Sequence, residues 1–187
     1  RVQRLQAATM DMSQAYIGVV QRRAPHATIT FDRFHVHKLA GDALDELRRS
    51  MARAVAGTDE AKHLKHTRFA LLKNPWNLTR QEGERLSVVQ RTNRPLFRGY
   101  ILKETLAHAF DYVQPARARA YLREWIGWAR RSRLDPFVKL AGTIEKHFEG
   151  TIAYVSSGLS NGPLEGLNNK TRLITRIAFG FHSAQSL

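Results

Sequence analysis

Cysteine is absent from these 187 residues, which excludes a disulfide framework, a thiolate metal centre and a cysteine nucleophile. No run approaches the roughly 18 consecutive apolar residues of a membrane-spanning helix, and no signal-peptide pattern opens the chain. The cytoplasm is therefore the expected compartment. Neither a Gly-rich phosphate loop nor a nucleophile elbow is present, and no internal repeat or low-complexity linker occurs. Acidic residues are scarce: 16 Asp plus Glu face 30 Lys plus Arg, a formal charge of +14 with pI about 10.9. Such an excess attracts a polyanion, DNA or RNA first and an anionic membrane surface second. At 43% apolar the chain is not disordered, and its length allows one core, or one domain carrying a helical insertion.

Taken in order, the pattern opens with a short strand within Val2 to Met10, stopping at Asp11. Ser13 to Arg23 places Ala15, Tyr16, Val19 and Val20 at helical spacing, and Pro25 ends that helix. Ala27 to Phe31 is a β-branched run of strand length ending on Asp32. Strand, helix and strand within about thirty residues make a βαβ unit, which pairs in parallel through a right-handed crossover. Both strands end on an aspartate, and ligands of open α/β sheets gather at the carboxyl ends of strands.

A long amphipathic helix follows from His35 to Ala56. Lys62, His63, Lys65, His66 and Arg68 form a basic cluster expected as a solvated loop. Thr79 with Glu82 is a capping box for a helix to about Asn93. Three more helices open at Pro95, at Pro115 and at Asp135 with Pro136, ending near Tyr112, Arg131 and His147. The aromatics of this region are expected in its core rather than as base-stacking platforms. Thr151 to Val155 is expected to be extended. The whole is an α/β chain, predominantly helical, with two or three short strands. Its expected divisions are a partial core at 1–36, an all-helical insertion at 37–150 and a return to the core at 151–187.

Residues Ser160 to Lys170 then place Pro163 at the first position of a helix, where its fixed φ and missing N–H cost nothing. Leu164, Leu167, Thr171, Ile174 and Ala178 share one side, expected to be core. Glu165, Asn169, Arg172 and Arg176 fall within about 60° on another. Glu165 in the first turn is either a dipole-favoured capping residue or a cation ligand whose neighbours hold phosphate. With Asp11 and Asp32 it makes three carboxylates able to hold two hard divalent cations, as phosphoryl transfer requires; each Asp singly is also an ordinary turn former. His35 and His37 with Asp32 give a weak transition-metal pattern, and His35 suits better the orientation of a carboxylate or phosphate oxygen.

The run Asn161 to Lys170, followed by Ala178, Phe179, Gly180, Phe181 and His182, resembles the C-terminal signature of a family of bacterial insertion-sequence transposases of the ISL3 type. The stretch Asp11, Met12, Tyr16, Ala24, Pro25, Ala27 and Asp32 to Val36 is similar to the same family, so the resemblance spans the chain. It implies a DDE domain of ribonuclease H-like fold, incomplete here, with the helical insertion after the second acid. Asp11 then matches the second acid and Glu165 the third, both metal ligands. Asp32 and His35 match an accompanying acid and His motif that supports the active site or DNA, and Asp32 is the other candidate for second acid.

The implied cofactor is Mg²⁺ or Mn²⁺, two ions in the intact site, and the implied partners are transposon-end and target DNA and further copies in the active complex. Water attacks the transposon end, and the freed 3′ hydroxyl attacks the target. Asn169, Lys170, Arg172 and Arg176 are the expected DNA-binding residues, the cations neutralising phosphates. Nucleoid association within the cytoplasm, and no membrane, complete the picture. The triad's first Asp belongs on a first strand that nothing before Val2 supplies. The chain is thus expected to be the back part of a transposase, inactive alone, whether by experimental truncation or by gene decay. A non-catalytic DNA-binding or self-associating remnant is the alternative, with a helical RNA-binding or membrane-surface protein a distant third.

Overall fold

The computed structural model describes residues 2–160 and 162–177. A 3₁₀ turn at Val2–Arg4 precedes strand β1, Ala7–Met10. The chain then turns on Asp11, and helix α1 runs Gln14–Arg23 with Ser13 at its N-cap. Pro25 stops it. Strand β2, Thr28–Phe31, pairs in parallel with β1, in register from Ala7↔Thr28 to Met10↔Phe31. The expected βαβ unit is therefore present. Its α1 turns Ile17 and Val20 toward Met10 and Phe31, whereas Tyr16 and Val19, counted above as part of the apolar face, are exposed. A helix packed on one side offers a single inward stripe, and Ile17 and Val20 take it.

Helix α2, Arg33–Ala54, starts directly after β2, its N-cap Asp32 accepting the Phe34 N–H at 2.8 Å. Its face of Val36, Ala40, Ala43, Leu44 and Leu47 is buried and is the spine of the helical body. Around it lie α3 (Asp59–His66), α4 (Arg68–Leu72), α5 (Arg80–Thr92), α6 (Arg94–His108), α7 (Pro115–Arg131) and α8 (Asp135–Lys146). The basic cluster at 62–68 is helical rather than a loop: Ala61 and Leu64 are buried against α2, and Thr58 caps α3. Cations on its other face stay in water. The capping box of α5 forms as expected, Glu82 accepting the Thr79 N–H and Thr79 accepting the Glu82 N–H.

Two further expectations give way. Thr151 to Val155 lies within helix α9, Phe148–Ser157, which ends at Gly158 with φ +62°. Its β-branched residues suggested strand, but Ile152 is buried against the helical core, and tertiary packing of this kind overrides intrinsic preference. Among the aromatics, Trp125 is buried, its Nε1–H donating to Leu102 O at 2.9 Å, and Trp128 packs partly buried against the same core. Trp76, by contrast, is 78% exposed, and Phe69 is also exposed. Trp76 sits in the 3₁₀ turn Pro75–Asn77 linking α4 to α5.

The last described helix, α10, is Gly162–Ile177. Its expected core face is uncovered at Leu167 (60% exposed) and Ile174 (56%), and Leu173 is exposed too. The side chain of Leu164, and Ala178 to His182 entirely, lie outside the described residues, as does Asn161.

Two glycines set how closely these elements approach. A Cβ at Gly99 on α6 would lie 2.8 Å from a Leu47 methyl and 3.1 Å from the Phe137 ring, so α6 crosses α2 and α8 there. At Gly150 the fit is tighter, a Cβ falling 2.4 Å from the Phe31 ring and 3.2 Å from Ile29 O. Helix α9 is thereby seated on β2, with the His147 ring edge-on to Phe31 at 5.0 Å. His37, on α2, packs edge-on to Phe110, and its Nε2 has no partner among the described residues. Burial, with Arg33 beside it, holds its pKa below the usual value, and burial beside Lys146 does the same for His147.

Replacing Gly150 by Ala is expected to cost about 2 kcal/mol, the overpacking exceeding the gain in helix propensity. Ala at Gly142, exposed mid-helix with nothing within 4 Å of the added Cβ, should instead stabilise by about 0.5–1 kcal/mol. Thermal melts of the two variants check the opposite signs. Because His37 and His147 are held neutral when folded yet charge when unfolded, their contribution is complete above about pH 6.5 and is lost as pH falls below it. Tm is expected to drop from pH 7 to 5, and His37→Phe to flatten part of that slope.

Candidate functional site

Parallel register decides where the two strand-end carboxylates lie. Met10 pairs with Phe31, and the Asp32 N–H donates to Met10 O at 3.4 Å, so Asp11 and Asp32 emerge side by side at the carboxyl edge of the sheet. The expectation that both acids share one edge is met in the backbone.

Their local settings differ. Asp11 is half-buried, and its Oδ1 accepts the Ser13 N–H at 3.0 Å. That bond closes the turn before α1 and orients the carboxylate, while its Oδ2 has no partner among the described residues. Asp32 is 3% exposed; its Oδ1 takes the Phe34 N–H, and its carbonyl takes the His35 and Val36 N–H groups. It joins strand to helix and puts negative charge on the positive end of α2. His35, in the first turn of α2, is half-buried with its ring edge-on to Phe34 at 5.8 Å.

Glu165 lies in the first turn of α10, with its side chain outside the described residues; the same holds for the side chain of Arg176. Asn169, Lys170 and Arg172 are exposed on that helix. No group of three or more His, Cys, Asp or Glu able to hold a metal ion occurs among the described residues. The structure thus sets Asp11 beside Asp32 at one sheet edge, with His35 one turn into the helix that Asp32 caps, and puts Asn169, Lys170 and Arg172 on one exposed helix.

Sequence patterning alone missed the cleft of about 780 Å³ between α1, β2 and α9, walled by Gln21, Pro25, Phe31, Gly150 and Ser157. Its signal was Gly150, ahead of a β-branched run that looked like strand. Arg119, at its rim, forms a bidentate ion pair with Glu149 at 2.7 and 2.6 Å, which holds the Glu149 carboxyl below its usual range.

A family model described as Transposase, of the ISL3 type of DDE transposases, matches residues 1–187. The transposase for insertion sequence element IS1557 of Mycobacterium tuberculosis is 37% identical over 209 aligned positions, covering 100% of this chain and 47% of the relative. That for insertion sequence element IS1001 of Bordetella parapertussis is 31% identical, covering 98% of this chain and 46% of the relative. This chain therefore spans under half the length of these curated relatives. No solved structure matches it. With the family model matched from end to end and two transposases aligned along its length, the chain belongs to the ISL3-type family of DDE transposases.

Proposed function

We propose that this chain is the C-terminal part of a DDE catalytic domain, supplying the second and third acids for metal-dependent cleavage and strand transfer of DNA in the intact protein. The observation that carries the reading is the pairing of Met10 with Phe31, which sets Asp11 and Asp32 on one sheet edge. In this reading β1 and β2 are two adjacent strands of a ribonuclease H-like core, and a strand bearing the first Asp adds to that sheet from the portion the relatives carry beyond this chain. Residues 1–36 and 151–187 belong to the core, and 37–150 to the insertion.

Asp11 is the better second acid. It is partly exposed, oriented through one oxygen and open at the other, whereas Asp32 is spent on capping α2. Carboxylate oxygens are the donors that hard divalent cations prefer, so Asp11 and Glu165 would hold Mg²⁺ or Mn²⁺. When bound, such ions stabilise charge on the attacking and leaving oxygens. Asp32 and His35 then brace the edge, and Asn169, Lys170, Arg172 and Arg176 face phosphates from α10. The assembly acts on transposon ends and target DNA as a homo-oligomer, at the nucleoid.

One observation favours the alternative of a self-associating remnant: the exposed Leu167, Leu173 and Ile174 on α10. An apolar stripe of this kind pairs with another surface or a second copy.

The decisive experiment fuses the N-terminal portion of the Mycobacterium relative ahead of Arg1 and measures Mg²⁺-dependent strand transfer. Asp11→Asn and Glu165→Gln should each abolish it, a loss of at least a hundredfold, without lowering Tm. Asp32→Asn, which keeps a cap, should retain most activity, and Asp32→Ala should cost about 1 kcal/mol of stability. Strand transfer that survives Glu165→Gln would remove that residue from the site, whereas salt-dependent DNA binding with no metal effect and no strand transfer in the fused protein would favour the remnant reading.

A further inference from the structure

Among the described non-glycine residues, one has a left-handed backbone: Arg133, with φ +59°. It forms the corner between α7 and α8. Ser132 before it is buried, donating through Oγ to Ala129 O at 2.7 Å and accepting the Leu134 N–H at 3.2 Å. Arg98 Nη1 braces the corner from α6 by donating to Ser132 O at 3.3 Å. A glycine would adopt this backbone freely, whereas a long side chain there costs roughly 1–2 kcal/mol. The corner thus carries a strained position filled by a solvent-exposed cation.

That cation faces others. Arg53 from α2, Arg98 from α6, Arg133 at the corner and Lys139 from α8 line one cleft of about 580 Å³, with Glu46 and Asp135 as its two acids. All four cations are exposed, and none takes part in an ion pair among the described residues. On α7, by contrast, Arg130 is matched by Glu145 and Arg119 by Glu149, whereas the cleft gathers its unpaired cations from three elements and a corner. Charge left unmatched inside a concavity, at a strained corner, marks a place for an external anion. Along α2, Arg53 lies 21 residues beyond Asp32, roughly 30 Å at 1.5 Å per residue. On B-form DNA that is about nine base pairs.

We propose that this cleft between α2, α6 and the α7–α8 corner binds the phosphate backbone of duplex DNA, about nine base pairs from the carboxylate edge. The proposal rests on the transposase reading above for the identity of the polyanion. It depends neither on Asp11 nor on any metal. The cleft contributes position and affinity to the protein's hold on DNA, and no base reading, since guanidinium and ammonium groups on phosphates carry none.

The test uses the present chain, a fluorescent 20-base-pair duplex of arbitrary sequence, and EDTA, with anisotropy read from 50 to 200 mM salt. Arg133→Gly should raise Tm by relieving the corner while weakening binding at least threefold. Arg53→Ala with Lys139→Ala should weaken it about tenfold or more and lower the salt slope by roughly 0.9 for each phosphate no longer neutralised. A double change of the exposed Arg91 and Arg117 to Ala, outside the cleft, controls for net charge and should have the smaller effect. The proposal is overturned if Arg133→Gly raises Tm with affinity unchanged, if the control matches the cleft pair, if the chain does not bind the duplex, or if duplex RNA is preferred. Metal being absent, cleft binding and the roles of Asp11 and Glu165 fail or stand separately.

Discussion

Everything in this molecule depends on how closely helix α9 sits on strand β2. Two parallel strands have too little apolar surface to be stable alone, and the small cluster of Met10, Ile17 and Phe31 does not change that. What holds the sheet is the helical body, brought against Phe31 and Ile29 at a point where residue 150 has no side chain. Ile152, two residues on, is buried in the helical core, so α9 belongs to both parts. The sheet edge bearing Asp11 and Asp32 is in effect an outcrop of the α-helical core.

From that dependence follows the division of labour between the acids. Asp32 terminates β2 and starts α2 in the space of one residue, so its carboxylate has a structural duty before any chemical one. Asp11 ends the other strand, and its turn consumes a single oxygen. Two aspartates that look equivalent in the sequence, each closing a short β-branched or alanine-rich run, become unequal once the helix after one of them is seen to begin immediately. Register between the two strands sets both carboxylates at one edge, and the helix that begins at Asp32 commits one of them.

Much of this organisation is legible in the residues. The βαβ unit follows from Pro25 and the two strand-length runs; the α5 start follows from Thr79 and Glu82; the α6, α7 and α8 starts follow from proline at the second or first position. Three features were not legible. Thr151 to Val155 has the composition of a strand and is a helix, because Ile152 has a core to enter. The Lys62 to Arg68 cluster looks like a solvated loop, yet Ala61 and Leu64 alone suffice to draw it down as helix. Leu167 and Ile174 have the spacing of a core face, but periodicity states that a face is apolar without stating what covers it. Of the residues proposed for function, Asp11 and Asp32 were visible as strand ends; Arg133 was not, since nothing local to an arginine announces a left-handed backbone.

Helix α2 has a mechanical consequence as well. It is a continuous rod of 22 residues, about 33 Å long, pinned at one end by the Asp32 cap and carrying Arg53 near the other. Because α3, α4, α6 and α8 pack along it and its inner face is buried, the rod acts as a ruler that fixes how far the Asp32 edge stands from the far end of the helical body.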